Sequence, residues 1–494
     1  MLPFEHIIVI DKESKTAVYR QIAISVINAI RNGTLKARSP LPGSRELARI
    51  LQVHRKTVIA AYEELNAQDW ITVIPRKQIM VSERIPLLRP QKWNASETNA
   101  PYNQNFKLPF RRVDTQSIGP ASVEVSPMII DDGYPDVRLS PIDELLKTYR
   151  VYTSKKYAIK NAHTGIEQGT IRLREELVKY LSESRGLNIT AANILVTHGA
   201  QMSIYLAARL LLKEDSNIIV GKPNYPVANK AFEETGARLI EVAVDEQGID
   251  TDAIEAACKK KRITAVYVIP HHHYPTTVTL SVERRMKLLE LSGKYSFAII
   301  EDDYDYDYHY TSSPYLPLAS SNHKGNVIYI GSFSKILDPS LRIGFMVAPA
   351  NFIAQCTALR KLIDAGGDGY MQNALATLIK NGEIKRHLKK AKKIYHQRRD
   401  YLDGLLKSRL RQYISYSIPS GGMAIWIKLL PDYSVSRLEE MSQLSIHRID
   451  EGQNAFRFGF ASMDEKEMEA VVEVLKSRLA AYPLKKHPKK TKSP

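Results

Sequence analysis

Between Thr16 and Thr34, apolar side chains return at Val18, Ile22, Val26, Ala29 and Ile30, the spacing of one helix face, and Gly33 closes the run. Pro42-Gly43 then marks a turn, Ser44 is placed to cap a short helix holding Glu46 and Leu47, and Gln52-Val53-His54 reads as a tight turn. A further helix is expected from about Arg55 to Ala67, with Val58, Ala61, Tyr62 and Leu65 along its apolar side. Two short β-type runs, "WITVIP" and "QIMVS", complete the pattern. Helix, helix, turn, helix and two-stranded ribbon is the order of a winged helix-turn-helix, an α+β unit over residues 1–82.

From residue 83 to 125 the periodicity fades. Pro86, Pro90, Pro101, Pro109 and Pro120 interrupt a polar stretch that reads as a linker. Beyond it, "NILVTHG", "NIIVGKPNYP", "ARLIEVAVD", "TAVYVIP", "FAIIEDD" and "NVIYIGSFSK" read as strands, most of them separated by helical runs of ten to fifteen residues. That alternation predicts an α/β domain with a mostly parallel sheet. After Pro349 the chain turns helical and basic, then ends in the short strands "GGMAIWIKL" and "AFRFGFA" and a last helix, a small α+β subdomain. The expected domain covers 126–484, its large part about 150–350 and its small part about 351–484, with a basic tail at 485–494. Within it, "KRHLKKAKK" reads as a solvated helix face, with a DNA-facing patch as the alternative.

In a mostly parallel sheet, ligands gather outside the carboxyl ends of the strands. The residues expected there are His198-Gly199-Ala200-Gln201, Asn224-Tyr225-Pro226, His271 to Tyr274, Glu301-Asp302-Asp303-Tyr304 and Ser332-Phe333-Ser334-Lys335, with Arg342 shortly after. A lysine shielded by neighbours and close to another cation is poised to condense with a carbonyl. A helix opening at Gly199-Ala200-Gln201 offers backbone N–H groups to a phosphate, and Ser332 and Arg342 would add bonds to the same group. Lysine, carboxylate and phosphate cradle together are what pyridoxal 5'-phosphate requires. His271-His272-His273 carries no spaced set of further Cys or His ligands, and neighbours on an extended segment face opposite ways, so no metal is expected.

Charge sharpens the picture at the chain ends. There are 70 Lys+Arg against 53 Asp+Glu, a net +17, and residues 1–92 alone hold 15 basic and 8 acidic side chains. Basic ends point to a polyanionic partner. Hydrophobic content of 44% and charged content of 25% exclude a disordered chain. Two cysteines, Cys258 and Cys356, exclude a disulfide framework and fit a reducing, cytoplasmic setting. Neither a signal-peptide pattern nor a membrane-length apolar run is expected.

These motifs carry a resemblance. "LPGSRELARILQVHRKTVIAAYEEL" resembles the DNA-binding half of the MocR/GabR-type transcriptional regulators, in which a GntR-like winged helix is fused to a fold-type-I aminotransferase-like domain. "DDGYPDVRLSP", "THGAQ", "VDEQGID", "VTLSVERR", "IIEDDYD" and "GSFSKILDPSLRIGF" resemble its cofactor half, and the likeness runs from about residue 15 to 480. It implies that Lys335 is the catalytic lysine, joined to pyridoxal phosphate as an internal aldimine. It further implies that Asp302 pairs with the pyridine nitrogen, Tyr304 reaches the 3'-oxygen, Tyr225 stacks on the ring and Arg457 clamps a carboxylate. Where such aminotransferases carry Asn-Pro-Thr-Gly, this chain has Tyr274-Pro275-Thr276-Thr277, so His272 and Tyr274 both stand as partners for the 3'-oxygen. His163 and Gly165 stand where the family carries a Tyr-Gly pair, and Pro75-Arg76-Lys77-Gln78 replaces a glycine-bearing wing tip.

On the DNA side, Ser44, Arg45, Arg55, Lys56, Thr57 and Arg76 are the expected contacts, with base readout from the first turn of the Arg55–Ala67 helix and phosphate contacts from Arg45, Lys56 and Arg76. The implied function is a cytoplasmic, homodimeric regulator that binds double-stranded operator DNA and senses an amine or amino acid through Lys335. Two alternatives stay open: an active pyridoxal-phosphate-dependent aminotransferase with an accessory DNA-binding domain, and a sensor of pyridoxal phosphate itself that controls vitamin B6 supply.

Overall fold

The computed structural model describes residues 3–11, 13–14, 16–74, 77–83, 109, 128–154, 156–163, 165–310, 316–364, 366–440, 444–446 and 453–482. Arg76, nearly all of the expected linker and the basic tail lie outside the described residues. The chain divides into two compact units, Met1–Arg112 and Val113–Pro494.

In the first unit the helices are Phe4–Ile7, Val18–Arg31, Ser44–Ile50 and Arg55–Ala67. The strands are Pro40–Leu41, Ile71–Ile74 and Gln78–Val81, with Gln78–Val81 central and antiparallel to both neighbours. The apolar stripes read from the sequence meet: Ile22 and Val26 of one helix and Val58, Ala61 and Leu65 of another are buried in one core. Burying an Ile, Val or Leu stabilises by roughly 1.5–3 kcal/mol, against propensity differences of about 0.7 or less, so packing decides these helices. The Arg55–Ala67 helix has the expected ends. Ser44 does not cap its helix. Extended Gly43 (φ −60°, ψ 154°) stands at the cap, because Ser44 already has helical geometry and its hydroxyl is turned to Arg55. Phe4–Ile7 and Pro40–Leu41 are too short for periodicity to reveal.

The second unit is built on an eight-stranded sheet. Its strands lie in the order Ile194–Thr197, Gly344–Val347, Val327–Ser332, Ala298–Asp302, Ala265–Val268, Asn217–Lys222, Arg238–Asp245 and Gly248–Ile249. Pairing is parallel from Val327–Ser332 through to Arg238–Asp245. Gly344–Val347 runs antiparallel between two strands, and Gly248–Ile249 closes an edge hairpin. Helices between the strands bury both faces, so the central strands are apolar throughout rather than alternating. A smaller antiparallel sheet holds Ile414–Tyr416, Ala424–Leu429 and Ala455–Gly459, flanked by the helices Glu383–Arg409 and Glu465–Ala480. No helix among the described residues is long and apolar enough to cross a membrane.

Candidate functional site

Val327–Ser332 is buried along its whole length, so the turn that follows it is fixed in place. That turn brings Lys335 to the rim half-buried. Its ammonium donates to the Gly133 carbonyl at 2.6 Å and stands 4.8 Å from the centre of the Tyr134 ring. No carboxylate among the described residues forms a salt bridge with it. The lysine is therefore aimed by a neutral acceptor and an aromatic face rather than held by a counter-ion.

On the neighbouring strand, register pairs Asp302 with Ile330. Asp302 is buried, and Tyr267 donates to its Oδ2 at 2.7 Å. Its Oδ1 is buried with no hydrogen-bond partner. Burial, opposed by the Tyr267 bond and helped by Asp303 and Asp305, pushes its pKa up to about 7. Such an orphaned acceptor is costly without a donor, and a protonated ring nitrogen would supply one. Asp303 is engaged elsewhere, paired with His271 at 3.0 Å and accepting from Tyr329 at 3.0 Å.

Across the sheet, Gly199 opens the Ala200–Leu211 helix with φ 83°. Arg342, itself left-handed at φ 50°, donates from Nη2 to the His198 carbonyl at 2.9 Å. A Cβ at Gly199 would lie 2.8 Å from that guanidinium nitrogen, and one at Gly344 would lie 2.6 Å from the Gly199 carbonyl carbon. The helix N-terminus, Ala200, Gln201 and Arg342 thus form a cradle that only glycine leaves open. Ser332 Oγ accepts from the Ser334 amide at 3.1 Å. The buried Ser334 hydroxyl has no partner. Sequence reasoning placed Ser334 at this rim but gave it no role, although its position one residue before Lys335 in "SFSK" was the available signal.

Four aromatic and charged groups close the other side. Tyr225 meets Tyr274 edge-on with ring centres 5.3 Å apart. Tyr304 donates to the His272 carbonyl at 3.0 Å. Arg457 is buried; it donates to the main-chain carbonyls of Asp132 at 2.8 Å and Pro275 at 3.1 Å, and to the Tyr304 hydroxyl at 3.4 Å. Its guanidinium also lies 4.9 Å from the centre of the Tyr274 ring. Asp132 is a second residue the sequence reading missed: its Oδ2 accepts from Tyr274 at 3.2 Å, and its charge helps to raise the Arg457 pKa against the opposing effect of burial. Of the two alternatives for the 3'-oxygen, His272 has its Nδ1 on Asp305 at 3.0 Å, while Tyr274 sits among Tyr225, Arg457 and Asp132. Thr277 keeps a left-handed φ of 63°, a conformation that favours glycine. The third histidine, His273, pairs with Thr276 at 3.1 Å.

In the first unit, Arg45, Arg55 and Lys56 are exposed, and Ser44 and Thr57 half-buried. Arg55 Nε donates to Ser44 Oγ at 3.3 Å, joining the two helices at the turn. His54 accepts the Lys56 amide at 3.2 Å and caps the Arg55–Ala67 helix, which fixes its first turn. Arg76 lies outside the described residues.

A winged helix joined to a pyridoxal-phosphate-type α/β domain is the class of protein these features define. The chain belongs to the aminotransferase class I and II family, whose model matches residues 156–475, and residues 18–81 match the bacterial regulatory proteins of the gntR family. It is similar to the uncharacterized HTH-type transcriptional regulator YdfD of Bacillus subtilis (strain 168), 28% identical over 429 residues, 86% of this chain and 87% of the relative. It is also similar to the HTH-type transcriptional regulator TauR of Rhodobacter capsulatus, 29% identical over 412 residues, 82% of each chain. Among solved structures, the multiple substrate aminotransferase of Thermococcus profundus superposes with a TM-score of 0.67 at 25% identity, over 72% of this chain and 91% of that one. The family's cofactor is pyridoxal phosphate, and the residues present fit it: the orphaned Asp302 oxygen, the unpartnered Ser334 hydroxyl and the cradle that a Cβ at Gly199 would fill.

Proposed function

We propose that this chain is a DNA-binding transcriptional regulator that reads an amine or amino acid at a pyridoxal phosphate site centred on Lys335. Pyridoxal phosphate, when bound, supplies an aldehyde that condenses with primary amines and a ring that withdraws electrons from them. Lys335 presents its amine to that aldehyde. Asp302 Oδ1 would accept a hydrogen bond from a protonated ring nitrogen, and Tyr304 and Tyr274 would serve the 3'-oxygen. Gly199, Ala200, Gln201, Ser332, Ser334 and Arg342 take the phosphate through backbone amides, hydroxyls and a guanidinium. Tyr225 covers the ring, and Arg457 orients a carboxylate on the incoming amine.

A lysine held by a neutral carbonyl and an aromatic face, with no carboxylate in a salt bridge to it among the described residues, carries this reading. It can be displaced by an amine effector without stranding a buried ion pair, and its release is the local event that would bias DNA binding by the winged helix. In that N-terminal domain Arg45, Lys56 and Arg76 contact phosphates, with Ser44 beside Arg55, and the first turn of the Arg55–Ala67 helix with Arg55 and Thr57 enters the major groove. A homodimer acting on a two-fold operator follows from the same reading. The relatives named as HTH-type transcriptional regulators span most of this chain and support the regulator over a free-standing aminotransferase.

The experiment is a footprint of the full chain on its own upstream DNA, repeated with a panel of amines while the visible absorbance of the bound cofactor is followed. The expected result is protection that changes with the same amine that shifts the absorbance. Rapid turnover of amino acids with no footprint would overturn the regulator in favour of the aminotransferase. A footprint that responds to the cofactor alone would favour the vitamin B6 sensor.

A further inference from the structure

Away from the cofactor site, a cavity of about 680 Å³ opens between the first half of the Glu383–Arg409 helix, the Ile171–Arg185 helix and the segment Tyr306–Tyr310. Lys385, Lys389, Lys392, Lys393 and His396 line it from the long helix. Their spacing places them on one helix face. Like charges four residues apart cost a helix about 0.2–0.5 kcal/mol per pair, so this stripe carries a repulsion that helix formation does not explain.

Elsewhere on the same helix the cations other than exposed Lys390 have carboxylate partners. Arg386 pairs with Glu383, Arg398 with Asp136, Arg399 with Asp400, Lys407 with Asp403 and Arg409 with Glu473. Among the described residues, none of the lysines lining the cavity has a carboxylate in salt-bridge range. Asp307, on the opposite wall, is taken by Arg185 at 2.8 Å and by the Tyr180 hydroxyl at 3.0 Å. That leaves Glu183 as the remaining acid of the lining. Lys392 is half-buried, and its Nζ stands 3.2 Å from His309 Nε2, an imidazole where a counter-ion would serve better. Burial, opposed by the charge of Asp307, holds the Lys392 pKa below its ordinary value.

Unpaired positive charge is therefore concentrated at a concavity of small-molecule size, about 300–1,000 Å³ being usual for ligand sites. We propose that this cavity binds a compact polyanion carrying at least two phosphate or carboxylate groups, with the lysine face as its counter-charge.

The test titrates inorganic pyrophosphate by calorimetry into full-length protein already loaded with pyridoxal phosphate, so that the cofactor's own phosphate cradle is filled, at about 150 mM salt to screen loose surface binding. The expected result is one saturable site per chain, weakened about tenfold or more in Lys389→Ala/Lys393→Ala and in Lys392→Gln, with the visible absorbance of the bound cofactor unchanged in both variants. Citrate titrated in parallel separates a phosphate from a carboxylate ligand. No saturable heat with either probe, or equal affinity in wild type and both variants, would overturn the proposal. Loss of DNA affinity in Lys389→Ala/Lys393→Ala without any small-anion binding would also overturn it, and would make the face a nucleic-acid contact.

Discussion

Lys335 and Gly133, 202 positions apart in the chain, meet ammonium to carbonyl at 2.6 Å. The bond joins the end of a central strand to the loop after Met128–Ile130, and it makes the lysine's orientation depend on both. Net, a bond with a charged donor contributes about 1.5–3 kcal/mol. Lys335→Ala is therefore expected to melt within a few degrees of wild type while losing the visible absorbance of bound pyridoxal phosphate. Borohydride treatment of wild type should leave a pyridoxyl label on the peptide holding residue 335. A label elsewhere would refute the assignment of this lysine.

Asp302 makes stability depend on pH in the cofactor-free chain. Its folded pKa of about 7 lies above the ordinary value of about 4 for an unfolded carboxyl. The folded chain then binds this proton more tightly than the unfolded one, so the residue removes stability as pH rises from about 4 through 7. Asp302→Asn lacks the effect. The cofactor-free variant should exceed wild type by on the order of 2–4 kcal/mol at pH 8, with the gap closing near pH 4. The same variant should hold pyridoxal phosphate less tightly. Thermal melts across pH check the first outcome, and equilibrium dialysis the second.

Gly199 combines a left-handed φ of 83° with a guanidinium 2.8 Å from where a Cβ would stand. Gly199→Ala should cost about 1–3 kcal/mol in urea unfolding. Its cofactor affinity should fall about tenfold or more, since Arg342 must move from the cradle.

Arg55 and Lys56 are exposed at the opening of the Arg55–Ala67 helix. Replacing both by Ala should leave cofactor uptake unchanged and weaken DNA binding. If Lys56 neutralises one phosphate, the slope of log affinity against log salt should become shallower by about 1. Unchanged operator affinity would remove this helix from the interface.

Asp132 lends its carbonyl to Arg457 and its negative charge to the same pocket. Removing that charge frees more of the guanidinium's field for an incoming carboxylate. Asp132→Asn should bind amino acids several-fold more tightly, and simple amines lacking a carboxylate no better, in absorbance titrations. Equal changes for both classes would show that Asp132 acts on the amine end instead.

Much of this was legible in residue order because periodicity and strand-end chemistry are local. The Arg55–Ala67 helix and the strand leading to Lys335 follow from spacing alone. Three features were not legible. Gly344–Val347 inserts antiparallel between two strands that are far apart in sequence, and alternating helix and strand patterns carry no sign of that. Asp132 enters the pocket from the segment before the large part of the domain, so its meaning depends on a tertiary contact. The lysine stripe of the Glu383–Arg409 helix reads as a solvated surface until Tyr306–Tyr310 is seen facing it across a cavity.

Only five positions separate Tyr304, beside Arg457, from His309, beside Lys392. The chain between them is pinned: Asp305 by His272, Asp307 by Arg185, and the Tyr308 carbonyl by the Gly422 amide. A connector with so little slack has its length constrained as firmly as its composition. Adding or deleting one residue there would re-aim two chemically different pockets at once, so descendants of this chain should hardly vary in that count.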